Sequence, residues 1–155
     1  MVSTSACHRN LVKFLENKMD TNYKGCITEM KIMTHFLELG YPVSQPLLQN
    51  SKYDCIIDVN GILYKIQIKT SRLDPKNDNV FIFNCKSVTT TGTQNITTKY
   101  SKKEIDFFAT VWDNKYYLVP VEECSVEKRL WLTKPTHSKS CFAEDYEMEA
   151  ILKTL

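Results

Sequence analysis

The dipeptide Asn60-Gly61, set between two apolar runs, constrains this chain more than any other feature. An Asn-Gly pair in that setting is the strongest short-range signal for a two-residue β-hairpin turn, so residues 53–70 are expected to form one hairpin. Side chains alternate along each arm. In the second arm Tyr64, Ile66 and Ile68 fall on one side and Lys65, Gln67 and Lys69 on the other, and in the first arm Asp54 and Asp58 fall together, opposite Cys55 and Ile57. Strands this apolar are normally covered on both faces, and a carboxylate, an amide and an ammonium along one face need compensating partners there. The polar face is therefore the place to look for chemistry.

Upstream, residues 8–19 carry Leu11, Val12, Phe14, Leu15 and Met19 at helical spacing, which predicts a short amphipathic helix that ends at Asp20-Thr21-Asn22. Residues 23–40 repeat the pattern with Ile27, Met30, Met33 and Phe36-Leu37 on one face and Gly40 as the stop. Glu29 lies early in that helix, beside the stripe. Residues 41–44 read as a short strand and 49–52 as a polar loop, giving the order α-β-β-β, a mixed sheet with a helix over one face. Downstream, 70–79 is a polar, turn-rich connection and 80–85 a strand. Residues 86–103 are rich in Thr and Lys, suited to phosphate contacts or equally to a solvated loop. Ser101 and Glu104 have capping-box spacing. A second hairpin is expected from 107–112 and 116–119 around Asp113-Asn114-Lys115, then an edge strand at 129–132, a loop at 135–140 and a terminal helix over 141–155.

At 155 residues the chain has the size of one domain. The expected division is a helical extension (1–22), a core with the continuing sheet (23–132) and a terminal loop and helix (133–155). A net charge of +2 is too mild to imply a nucleic-acid partner by itself. The six cysteines are scattered without Cys-x-x-Cys pairs, and His8, His35 and His137 are isolated, which argues for reduced, mostly buried thiols and against zinc or histidine chemistry. The N-terminal residues lack an apolar signal core and no run reaches membrane-spanning length, so a soluble, intracellular (cytoplasmic) protein with no membrane partner is expected.

The polar hairpin face suits metal-assisted phosphodiester hydrolysis. That reaction requires charge stabilisation at the phosphate and an activated water, and a divalent cation held by hard oxygen ligands organises both. Asp58 lies about 13 Å from Asp54 along an extended strand, too far to share one ion, and reads as a hairpin-end residue.

Taken together, Gly25-x-x-x-Glu29 in a helix, Gly40-Tyr41 after it, Tyr53-Asp54 opening a strand and Gln67-Ile68-Lys69 closing the next resemble the PD-(D/E)xK nuclease core. The resemblance is closest to the Gln-x-Lys variant found in group I intron homing endonucleases of cyanobacterial type. It extends through Tyr100-Ser101, 104–109 and 116–120, about two-thirds of the chain. Two positions depart from the basic motif: Tyr53 replaces the proline and Gln67 the acid. The resemblance implies an α/β, restriction-endonuclease-like fold with a mixed central sheet flanked by helices, and an intron-homing, Mg2+-dependent endonuclease for double-stranded DNA, with Mn2+ as a substitute. It implies a catalytic set of Glu29, Asp54, Gln67 and Lys69, with Asp54, Glu29, Gln67 and the Ile68 main-chain carbonyl as metal ligands. Lys65, Thr70, Ser71, Arg72, Lys76 and Lys86 are the candidate DNA contacts. A small subunit reads a long site only by assembling, so a homodimer or homotetramer is expected. Two other readings share these residues: a Holliday-junction resolvase or other structure-specific nuclease, and a non-catalytic DNA-binding module that kept the fold after losing the acid at position 67.

Overall fold

The computed structural model describes residues 20–48, 50–134 and 140–155. The helix expected over 8–19 and nearly all of the 135–140 loop lie outside them.

Helix α1 (Thr21–Glu38) is capped by Asp20, whose side chain accepts from the Asn22 amide, and its chain is turned at Gly40 with φ +87°. Strand β1 (Val43–Ser44) pairs with β2 (Cys55–Val59), and β2 pairs antiparallel with β3 (Ile62–Ile68). Asn60 (φ 55°) and Gly61 (φ 86°) both occupy the left-handed region that a type I′ turn requires. Asp58 accepts from the Gly61 amide at 2.7 Å, which makes it the turn-bonded, hairpin-end residue its spacing predicts.

Past the hairpin the chain builds more strand than its polarity predicts. The expected connection over 70–79 contains β4 (Arg72–Asp74) and the start of β5 (Asn77–Asn84), and the Thr/Lys-rich segment is a ribbon of β6 (Lys86–Thr91) and β7 (Gln94–Lys99). Neither carries the apolar alternation that marks a half-buried strand: the buried residue of β4 is the polar Asp74, and β7 is exposed throughout. Strands β8 (Phe107–Trp112) and β9 (Lys115–Pro120) form the second expected hairpin, and β10 (Glu127–Trp131) pairs with β5. In place of a terminal helix over 141–155, residues 144–146 form a 3-10 turn and only α2 (Met148–Leu152) is α-helical. A bridge between Tyr117 and Glu147 holds the preceding backbone extended.

The central sheet has the order β1-β2-β3-β8-β9, with β3 and β8 parallel and the other neighbours antiparallel. On one face Ile32 and Phe36 of α1 and Met148 and Leu152 of α2 pack against Cys55, Ile57, Ile66, Ile68 and Ala109. On the other face a second sheet, β10-β5-β4, brings Phe81, Phe83 and Leu130 against Phe108, Tyr117 and Val119. The fold is therefore α/β with a mixed central sheet, covered by helices on one face and by antiparallel strands on the other.

The buried face of α1 shares Phe36 with the stripe expected from sequence and is otherwise rotated away from it. Thr28, Ile32 and Phe36 are buried, whereas Met30 and Leu37 are 61% and 57% exposed. The helix is apolar on more than one side; the buried side is the one that sets Ile32 and Phe36 in the core, and there Thr70 Oγ1 donates to Thr28 Oγ1 at 3.2 Å. This rotation is testable by denaturant unfolding. Ile32→Ala is expected to cost about 2–5 kcal/mol, and Met30→Ala to lie within about 0.5 kcal/mol of zero; the reverse ranking would restore the sequence-derived stripe.

All five described cysteines are free; Cys55 and Cys85 are buried as expected, whereas Cys26 is exposed. Among the described residues no helix is long and apolar enough to cross a membrane.

Candidate active site

The polar residues of the first hairpin gather where β3 ends beside β8. The parallel register sets Gln67 opposite Phe108 and Ile68 opposite Ala109. The Lys69 amide then donates to the Ala109 carbonyl at 2.9 Å, and Thr110 Oγ1 donates to the Lys69 carbonyl at 2.7 Å. The backbone at the motif lysine is thus fixed on both sides by β8. Asp54 stands one residue ahead of β2, its amide bonded to the Ile66 carbonyl at 2.8 Å. One of its carboxylate oxygens accepts from Gln67 Nε2 and from the Ile68 amide, each at 2.6 Å.

Glu29 joins the set from α1, one residue beyond the Thr28 staple to Thr70. Burial pushes the Glu29 carboxyl up, the Asp54 charge pushes it further, and Lys69 partly offsets both. Burial likewise raises Asp54, against the Ile68 amide, Lys69 and the Gln67 side chain, which favour its charge. Burial lowers Lys69, opposed by Asp54, Cys85 and Glu29. These mutual influences place the two carboxylates and the lysine in one electrostatic environment, although Glu29 and Lys69 are 40 positions apart in the chain.

Sequence reasoning assigned no site role to two side chains that shape this pocket. Lys69 Nζ stands 5.4 Å from the Tyr100 ring centroid, and that ring meets Phe108 edge-on at 5.4 Å. An aromatic face under an ammonium restrains and partly desolvates it. The available sequence signal was one aromatic residue between a polar segment and a capping box. Thr28, buried and bonded to Thr70, is the other; nothing in the helix pattern marks it.

The remaining candidates are distributed elsewhere. Lys65 donates through Nζ to the Lys103 carbonyl at 2.5 Å and through its amide to Asp106. Thr70 is bonded to Thr28, and Ser71 donates to the Val111 carbonyl at 2.5 Å. Arg72 pairs with Glu127 at 3.2 Å, Lys76 lies in the β4–β5 turn, and Lys86 stands at the base of the ribbon opposite Lys99. The structure brings together Glu29, Asp54, Gln67, Ile68 and Lys69, and does not gather the others into that pocket.

The donor set fits a hard divalent cation in kind: two carboxylates whose charges burial disfavours, an amide oxygen and a main-chain carbonyl. Gln67 turns its nitrogen toward Asp54, so offering Oε1 on that side requires the amide to flip. Among the described residues no three His, Cys, Asp or Glu side chains cluster as a metal site, so the amide and the main-chain carbonyl are needed to complete one. Burial and the same two carboxylates push the Cys55 thiol up to about 12, which leaves it protonated and unsuited as a nucleophile.

A mixed sheet with a glutamate-bearing helix beside a hairpin that carries Asp and Gln-x-Lys fits the PD-(D/E)XK nuclease fold. The chain belongs to the PD-(D/E)XK endonuclease family, whose sequence profile matches residues 19–149. A solved structure of a bacterial homing endonuclease, I-Ssp6803I, is similar to it in fold, with a TM-score of 0.72 at 24% identity over 88% of this chain and 95% of that one. No curated protein sequence matches the chain.

Proposed function

We propose that this chain is a single-domain, divalent-metal-dependent endonuclease that hydrolyses double-stranded DNA at a long specific site, in the manner of an intron-homing enzyme. The observation that carries the reading is the Asp54 carboxylate held at 2.6 Å by Gln67 Nε2 and by the Ile68 amide, with Glu29 and Lys69 near enough to act on its charge, in a chain of this family. Asp54, Glu29, Gln67 and the Ile68 carbonyl hold Mg2+, or Mn2+ in its place. When bound, the ion stabilises charge on the phosphate and acidifies a water.

Asp54 fixes the end of the hairpin through the Ile68 amide and presents its carboxylate to the ion. Glu29 contributes the second negative charge, which Gln67 does not bring. Lys69, its pKa lowered by burial, orients the attacking water and takes or returns its proton. The Tyr100 ring keeps the ammonium from swinging into solvent. Lys65, Thr70, Ser71, Arg72, Lys76 and Lys86 are the proposed backbone contacts, with Thr70 and Ser71 anchoring chain next to Lys69. A homodimer or homotetramer would supply the reach for a long site.

The test is cleavage of plasmid DNA and of four-way junctions with Mg2+, with Mn2+ and with EDTA. Cuts at a defined plasmid position that require the ion are expected. Cutting confined to junctions would instead make the protein a resolvase, and binding without cutting under all metals would make it a non-catalytic DNA-binding module.

A further inference from the structure

Apart from Lys86 at its base, the β6–β7 ribbon is not used by the site as described, and it is hydrogen-bonded to neither of the other sheets. All six residues of β7 are exposed, and each strand is six residues long. An isolated two-stranded ribbon is at best marginally stable in water, so an arm of this length calls for a partner surface. Its composition indicates which kind: residues 86–103 contain Lys86, Lys99, Lys102 and Lys103 and no Asp or Glu. Lys102 is paired with Asp106 and Glu122, whereas Lys86 and Lys99 stand directly opposite each other in the register. Like charges directly across a ladder repel, and anions on either side of the ribbon base would relieve this.

The base of the ribbon is also joined to the candidate site. The last residue of β7, Lys99, is followed directly by Tyr100, whose hydroxyl feels the Ser87 side chain and whose ring lies under Lys69. Alternation from Ser87, paired with Thr98, places Ile96 and Gln94 on the face that meets Tyr100. That face offers hydroxyl, methyl and amide groups and no charge. Six residues per strand span about 20 Å, roughly six base pairs of duplex rise. A two-stranded ribbon fits the major groove, where Gln makes a bidentate contact with an adenine edge and Thr meets either polar edges or the thymine methyl.

We propose that the β6–β7 ribbon is a base-reading arm that enters the major groove next to the phosphate held at Lys69, with Lys86 and Lys99 on flanking phosphates and Gln94 at a base edge. This rests on the endonuclease reading above and adds to it the element that reads sequence. Lys69 and the ribbon base share one aromatic ring, so the base pairs read by the arm lie at a fixed offset from the cut.

Two measurements on the full chain test the arm. The first is anisotropy binding of a labelled random-sequence duplex in Ca2+ across a salt series. The K86A/K99A double variant is expected to give a plot of log affinity against log salt that is shallower by about 1.8, the equivalent of two phosphates. The K86Q/K99Q pair should behave alike, with both melting as wild type does. The second is sequencing of cut ends from a plasmid library with random inserts. Gln94→Ala should lose roughly 5- to 150-fold discrimination at one or two adjacent base pairs, at a constant distance from the cut. If wild type cuts and every ribbon variant keeps its salt slope and cut-site pattern, the arm is overturned and the nuclease stands. If wild type binds duplex through the ribbon but cuts nothing, the nuclease reading fails and groove binding by the arm survives. A drop in sedimentation mass for K86A/K99A with DNA binding unchanged would assign the ribbon to contact with a second copy of this chain and overturn the proposal, as would a wild type that binds no duplex.

Discussion

Lys69→Ala is expected to cut DNA about 10²- to 10⁴-fold more slowly than wild type, the usual range for losing a positioned acid or base, while binding duplex nearly as tightly. The separation follows from what each process uses. Affinity is spread over many phosphate contacts, of which one lysine is a small share. The reaction step instead uses a group whose position is fixed at both backbone ends by Ala109 and Thr110 and at its tip by Tyr100. The pH profile sharpens the expectation. Burial holds Lys69 below the ordinary lysine value, and it takes the proton only when neutral, so the wild-type rate should rise with pH through a value below that of ordinary lysine, and this rise should vanish in Lys69→Ala. Asp54→Ala should abolish cleavage as well, but with loss of metal affinity. A Lys69→Ala protein that cuts near the wild-type rate would remove the lysine from the catalytic set.

Local signals in the sequence reached the centre of the site but not its surroundings. Asn60-Gly61 specifies its own turn, and once the turn is placed, alternation assigns Gln67 and Lys69 to one face and Ile66 and Ile68 to the other without tertiary information. The lysine, the amide and Asp54 were legible for that reason, and Glu29 through the family resemblance. Tyr100 was not legible as a site residue, because its place under Lys69 arises from β3 and β8 meeting in parallel across 40 intervening positions. The rotation of α1 was hidden in the same way. Ile27, Met30 and Leu37 extend a helical stripe from Phe36 as well as Thr28 and Ile32 do, and only packing against the sheet decides between them. The ribbon was missed for the opposite reason: a strand pair that buries nothing leaves no hydrophobic period to detect. The C-terminal segment had helical composition over its full length, but pairing of Glu147 with Tyr117 left room for only a short helix.

The departure at position 67 gives the second large effect, because an amide there changes what the site does with and without its ion. Glu29→Gln leaves Asp54 as the remaining carboxylate. One unit charge about 4 Å from a divalent ion is worth roughly 2–8 kcal/mol between the aqueous and protein-surface limits, so Mg2+ affinity should fall by about 30-fold or more, and cleavage with it. Gln67→Glu should act in the other direction on the ion and against the empty fold. In the present arrangement Gln67 Nε2 donates to Asp54 at 2.6 Å; a carboxylate in its place sets two acids against each other, and one of them must hold a proton or be repelled. The pair would then take up its shared proton well above the ordinary carboxylate value. Such a pair stabilises the fold below the ordinary carboxylate range and loses that contribution as pH rises through the raised value. Metal-free Gln67→Glu should accordingly melt below wild type at neutral pH, recover in mild acid, and gain more than wild type on adding Mg2+. Calorimetric melting at two pH values, with and without the ion, measures all three. A Glu29→Gln protein that cuts normally without any divalent ion would show that Glu29 is an ordinary helix residue, and with it the proposed metal site would be lost.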